Sequence, residues 1–397
     1  MSKIVQLGNT SLQAIYDKYG GFAKIEELNP GGFFDEFHLF TLYSGHGNKI
    51  ELKNRVTVHE FNTAYHCHLL EPIIYAFQFI WILIYLCAFV WRHKIDVIHS
   101  KEPLICGAAA LILSRITRVP FCVSIHADYD QRYKVSGGED STTLFGSHDL
   151  VKKVEEVVLP HADMVMPIRE SLIEYATQRG TKPERIRIIP HGIELSPFLQ
   201  DPNPALKHEL GIDDRKVVSF VGRLTGDNYT DDVVRIAEKV TQTRKGVVFL
   251  LAGDGKRRTH LEEMSHDLCL TGDVMFLGFQ PQDKVAQIRL VSDVSLCLMA
   301  GFSLIEAAAA GVPIVSYDVE WHYELVKDGE TGFLVPGNDV QGAADAILKI
   351  LGDAELSKRM GENARRLAVE RHSKENTDGI KVKWYKELIN KKEGRRR

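Results

Sequence analysis

The sequence carries almost no surplus of charge. Its 49 basic and 53 acidic side chains leave a net charge of −4 over 397 residues. A chain so balanced exerts no global pull on nucleic acid, and none is expected as a partner. The six cysteines, Cys67, Cys87, Cys106, Cys122, Cys269 and Cys297, form no C-x-x-C pair, and most lie in apolar runs such as FCVSIH and SLCLM. That pattern argues against a disulfide scaffold or a cysteine-based metal site and points to buried thiols in a reducing compartment. No secretory leader is evident, because MSKIVQLG is polar and runs into a short strand, so a cytoplasmic location is expected. No G-x-G-x-x-G follows that strand, and no G-x-x-x-x-G-K-[ST] occurs, which counts against a dehydrogenase and a P-loop NTPase.

One long uncharged run is present. Residues 72–91 read PIIYAFQFIWILIYLCAFVW, long enough for a transmembrane helix by composition. Strand-like runs of one sheet precede and follow it, so a span would split that sheet across a bilayer. Two readings remain: a helix buried in the protein or a dimer interface, and a helix lying in the membrane interface with Trp81, Tyr85 and Trp91 at headgroup level. The second is preferred, because helices on the surface of α/β domains are usually amphipathic. Lys391, Lys392, Arg395, Arg396 and Arg397 form a basic tail, read as a solvated end or as a contact for anionic headgroups.

Elsewhere, β-branched runs alternate with helical patterns, which predicts βαβ units and parallel sheets. Strands are expected at residues 3–7, 36–42, 56–61, 96–100, 121–126, 164–168 and 187–189. A second series is expected at 217–221, 247–252, 274–276, 293–298, 313–317 and 333–335. Prolines and short polar residues interrupt the pattern around residues 192–205. The expected architecture is α/β with two Rossmann-like domains facing across a cleft: residues 1–195, residues 196–370, and a helix with the basic tail over 371–397. Ligands of open α/β sheets sit at the carboxyl ends of strands, beside helix N-termini.

The richest motif there is GFSLIEAAAAGVPIVSYD, after the strand DVSLCLMA. Gly301 and Ser303 open a helix whose free N–H groups suit a diphosphate, and Glu306 follows about one turn in, able to bind vicinal hydroxyls. Arg223 follows another strand in FVGRL, where its guanidinium can fork onto phosphate. A third strand ends in Gly253-Asp254-Gly255, a turn that permits close approach of a ligand. Asp128-Tyr129-Asp130 offers a D-x-D metal motif, but three-residue matches are cheap.

Residues 162–371 resemble the family 4 (group 1) glycosyltransferases. The resemblance rests on HADMVMPIRESLIEYATQRGTKPERIRIIPHGIEL, FVGRL, LLAGDGKRRTHLE, VMFLGF, SDVSLCL, GFSLIEAAAAGVPIVSYDV and DGETGFLVP in the family's order. DVIHSKEP and FCVSIHADYD extend it into the first domain. The resemblance implies the GT-B fold and retaining transfer of a sugar from a UDP- or GDP-sugar to a glycan or lipid-linked acceptor, with no metal or other cofactor. It implies that Arg223, beside Gly222, holds the donor diphosphate, that Gly301, Phe302, Ser303 and Leu304 offer backbone groups, and that Glu306 binds the ribose. His126 matches the histidine that contacts the transferred sugar, Gly20-Gly21 the glycine loop near the phosphates, and Gly253, Gly255 and Phe276 further donor-side positions. Two positions depart from the pattern. Leu298 stands for the family's first glutamate, and Asn228 for the lysine that joins the arginine, with Lys256, Arg257 or Arg258 as substitutes for the missing charge. The rival reading is a degenerate homologue that binds nucleotide without turnover.

Overall fold

In the computed structural model, residues 2–11, 13–14, 25, 27–42, 47–61, 71–135 and 147–396 are described. The chain forms two compact units, Met1–His191 with Thr377–Arg397, and Gly192–Asn376.

The first unit is built from β1 (Lys3–Gly8), β2 (Glu36–Thr41), β3 (Lys49–Glu51), β4 (Val56–Glu60), α1 (Glu71–His93), β5 (Val97–Ser100), α2 (Ile105–Thr117), β6 (Phe121–Ile125), α3 (Tyr129–Val135), α4 (His148–Val158), β7 (Met164–Pro167) and α5 (Ser171–Gln178). Its sheet has the order β3-β4-β2-β1-β5-β6-β7, parallel except for β3. The chain therefore runs outward from β1 through β2 and β4, then returns through α1 to the other side of β1. That reversal places the switch point, where open α/β sheets bind ligands, beyond the ends of β1 and β5. Residues 187–189 form no strand, although Arg187 and Ile189 donate backbone hydrogen bonds to Val165 and Pro167. The antiparallel edge strand β3 was not anticipated: KIE is short, polar and exposed, without the alternation that marks a half-buried strand.

The second unit contains α6 (Ala205–Glu209), β8 (Lys216–Val221), α7 (Thr230–Thr243), β9 (Val247–Ala252), α8 (Arg258–Asp267), β10 (Val274–Gly278), α9 (Gln282–Leu290), β11 (Val294–Leu296), α10 (Phe302–Ala309), β12 (Ile314–Tyr317), α11 (His322–Leu325), β13 (Gly332–Val335), α12 (Val340–Gly352) and α13 (Ala354–His372). The order β10-β9-β8-β11-β12-β13 again reverses, here between β8 and β11.

The last helix, α14 (Lys374–Arg396), corrects the expectation of a separate tail over 371–397, since from Thr377 onward it belongs to the first unit. Burial explains this: Tyr385 and Leu388 pack among Phe34, Phe37 and Met164. His99 Nδ1 lies 2.8 Å from both the Tyr385 hydroxyl and Gln6 Nε2, and His99 Nε2 lies 2.8 Å from Ser124 Oγ. Burial holds His99 neutral, with its pKa brought down to about 3. The basic tail is partly committed too. Lys392 is buried and donates to Ile95 O and to Asp96, and Lys391 pairs with Glu387. Lys392 thus serves the fold.

Helix α1 settles neither wholly inside nor wholly outside. Ile82, Leu86, Phe89 and Val90 are buried against the sheet, while Phe77, Ile80, Trp81, Ile84 and Trp91 face solvent. Its length and hydropathy suffice to cross a membrane. Its packing on one sheet face, between strands of one sheet, rules that out. The expected thiols Cys87, Cys106, Cys122 and Cys297 are free and buried, and Cys269 is free and exposed; Cys67 lies outside the described residues.

Candidate functional site

In the second unit the loops after β8 and β11 flank the switch point, and the expected donor-side residues fall on them. Arg223 follows β8 with its side chain 75% exposed, and it pairs with Asp227 at 3.5 Å. Asn228 does not replace the family's lysine as a charge. It is buried and donates from Nδ2 to Arg223 O at 2.8 Å, fixing the backbone from which the arginine projects. Arg257 is paired with Asp231, and Arg258 with Asp254 and Glu262, which leaves Lys256 as the exposed cation of that trio.

The glycines play a different part from the one expected. A Cβ on Gly253, whose φ is 149°, would lie 1.8 Å from Gly222 O, and one on Gly255 would lie 2.3 Å from Leu224 O. Their smallness lets the loops after β8 and β9 pack on each other, so the close approach is made by protein backbone. Gly301 differs, because a Cβ there meets nothing within 4 Å and the start of α10 stands open.

At that start, Phe302 is exposed and Leu304 is fully buried. Ser303 Oγ donates to Val221 O at 2.6 Å and accepts from Arg289 Nη2. Arg289 is the largest completely buried side chain among the described residues; it also donates to Ser295 Oγ, and its Nε lies 3.7 Å from Glu306. Burial raises the Glu306 pKa and Arg289 opposes it. The arginine thus holds a desolvated carboxylate at the site. His322, also buried, braces the preceding turn. Ser316 Oγ donates to Cys297 O at 2.8 Å and accepts from His322 Nδ1, which leaves His322 Nε2 to accept the Ala300 N–H at 3.1 Å. Leu298 is fully buried in the core, so no carboxylate replaces the family's first glutamate there.

Phe276 lies within β10, partly buried against the core. Three residues on, Phe279 is 81% exposed beyond the end of the same strand. An aromatic directly after a strand-ending glycine was the available signal, whereas Arg289 in QDKVAQIRL reads as an ordinary helix cation.

In the first unit His126 follows β6 and stacks on His191 at 5.8 Å. It keeps an exposed edge, yet desolvation first, then the charges of Lys101 and Arg169, lower its pKa to about 4. It is a neutral imidazole at pH 7. Gly20 and Gly21 lie outside the described residues. Asp130 is engaged by Arg179 and His148, and Asp128 accepts the Gln131 N–H, so the D-x-D carboxylates act as structural acceptors.

Two α/β units with largely parallel sheets, each reversing its strand order once, are consistent with the GT-B architecture. Sequence comparison carries the same message across the chain. Residues 35–197 match the Glycosyltransferase Family 4 model and residues 203–367 match Glycosyl transferases group 1. Alpha-D-kanosaminyltransferase of Streptomyces kanamyceticus is 29% identical over 67% of this chain and 71% of its own. N-acetyl-alpha-D-glucosaminyl L-malate synthase of Bacillus anthracis is 27% identical over 72% of each. Among solved structures, Anabaena Alr3699/HepE in complex with UDP superposes with a TM-score of 0.72 at 18% identity, covering 98% of this chain and 100% of that one. The chain belongs to the group 1, family 4 glycosyltransferases, and it is a hexosyltransferase-type enzyme.

Proposed function

We propose that this enzyme transfers a sugar, with retention at the anomeric carbon, from a nucleoside diphosphate donor to the hydroxyl of a glycan or lipid-linked acceptor. The observation that carries the reading is the Arg289–Glu306 pair beneath the open start of α10, with exposed Arg223 on the neighbouring loop. Glu306 binds the ribose hydroxyls, and the backbone at the open start of α10, Gly301 to Ser303, takes diphosphate oxygens. Arg223 neutralises the charge that grows on the leaving diphosphate. Phe279 stacks on the base, and Alr3699/HepE, solved with UDP, favours uridine over guanosine. Neutral His126 hydrogen-bonds the sugar without adding a cation beside an oxocarbenium-like centre. The acceptor hydroxyl attacks the face that the diphosphate leaves, and a donor phosphate oxygen takes its proton. Positioning and charge stabilisation supply the rate, and no metal takes part. Leu298 favours a second reading, a nucleotide-binding homologue without turnover. Release of sugar from a UDP-linked donor in EDTA separates the two.

The enzyme works at the cytoplasmic face of a membrane. Phe77 and Ile84 on α1 are 70% and 65% exposed, and exposed Ile112 and Ile116 on α2 extend the apolar surface. Arg92, Lys94, Arg115 and Arg118, all exposed near the C-terminal ends of these helices, complement anionic headgroups. Trp81 and Tyr85 are poor probes because both pack on Phe61. Phe77→Ser with Ile84→Ser is cleaner. The double variant should remain folded, and its sedimentation with anionic vesicles should fall at least tenfold. Undiminished sedimentation removes α1 as the contact.

A further inference from the structure

The transfer reaction uses none of the histidines gathered at the opposite end of the first unit's sheet. Glu36 and His38 stand two residues apart near the start of β2, so the alternation of a strand puts both side chains on one face. His93 ends α1, which packs on that face. One ligating atom from each of the three lies within 4.8 Å of the others. Glu36 Oε2 is 3.3 Å from His38 Nε2 and 3.6 Å from His93 Nδ1. Both separations exceed the roughly 2.7–2.9 Å of a good charge-assisted hydrogen bond. They match the edge of a tetrahedron around zinc, about 3.3 Å when each ligand is about 2.0–2.1 Å from the metal.

The groups behind these three are arranged to support ligation. His38 Nδ1 lies 3.2 Å from His59 Nε2, so a hydrogen bond between the two rings holds the orientation of His38 and leaves its Nε2 facing the cluster. Lys3 Nζ holds the other carboxylate oxygen, Glu36 Oε1, at 2.5 Å, which leaves Oε2 facing the two imidazoles. Outer partners of this kind orient ligands and fix the imidazole tautomer. The cluster opens on a cavity of about 430 Å³ whose wall includes Lys49, Tyr85 and Arg92.

We infer that Glu36, His38 and His93 form a binding site for one divalent transition-metal ion of the zinc class, with its fourth position open to this cavity. Two imidazoles and one carboxylate suit zinc, cobalt or nickel rather than magnesium or calcium. The cations Lys49 and Arg92 favour water or a small anion at the open position. Bound metal ties the end of α1 to β2 and stabilises the folded state by mass action.

The test is cobalt(II) titration of the full chain after EDTA treatment and dialysis, followed by visible absorption and zinc competition. One equivalent should produce the intense bands of tetrahedral cobalt, zinc should abolish them, and zinc should raise the melting temperature. Glu36→Gln and His93→Gln should each lose the bands and the zinc-induced shift. Both should stay folded by circular dichroism, since each keeps a polar side chain at a partly exposed position. His59→Phe should bind about 10–100-fold more weakly, as expected on losing an outer partner. Absence of the bands, or bands unchanged in both ligand variants and so arising from other members of the 16 histidines, overturns the assignment.

Discussion

Replacing Arg289 with methionine should destabilise the second unit by about 3–5 kcal/mol, the cost of stranding one partner of a buried ion pair. Arg289 has no exposed surface, and its guanidinium serves Ser295, Ser303 and Glu306 together. Without it, Glu306 remains desolvated and its pKa rises further above the normal carboxylate value. Protonation then relieves the unpaired charge, so the loss should be smallest in acid and grow as pH rises through the folded-state pKa. Urea denaturation at acidic and neutral pH reads both effects. Adding Glu306→Leu to Arg289→Met should restore much of the stability, because replacing a buried pair by apolar side chains is often neutral. The restored protein should no longer bind nucleoside diphosphate. A single variant within 1 kcal/mol of wild type at neutral pH would contradict the assigned role of the arginine.

The second large effect is on rate. Arg223→Ala should lower turnover about 100–1,000-fold, the usual result of removing a group that stabilises developing charge. Stability should hardly change, because Arg223 and its partner Asp227 are both mostly exposed and such pairs contribute about 0–1 kcal/mol. The loss should fall on kcat more than on KM, since charge on the leaving diphosphate grows as the bond breaks. Wild-type kcat in this variant would remove Arg223 from the reaction.

Much of this architecture was legible in the sequence because each signal was local. The runs KIVQLG, VVSFV and VVFLLA are β-branched, apolar and bounded by turns, and they became β1, β8 and β9. Helix α10 was readable from glycine, small residues and an acid one turn in. What escaped depends on pairings across elements. Arg289 is written as a helix cation, and only the packing of α9 beside α10 turns it into the buried partner of Glu306. Gly253 and Gly255 leave no room for a Cβ because the backbone of a neighbouring loop lies against them, which no stretch of sequence contains. The uncharged run of α1 hid a two-sided helix because apolar side chains occupy both its packed and its open face. The helix expected within 371–397 is α14, which runs over nearly all of that segment. Asn228 could be identified as a missing lysine by alignment, but its hydrogen bond to the Arg223 carbonyl required coordinates.

Turnover of a UDP-linked sugar by the wild-type chain in EDTA, with the anomer of the released or transferred sugar read by proton NMR, tests the central claim most directly. The expected result is steady release of UDP without added metal, with the new anomeric bond in the configuration of the donor. Binding of UDP without any turnover, an inverted product, or turnover that vanishes in EDTA and returns with magnesium would contradict it.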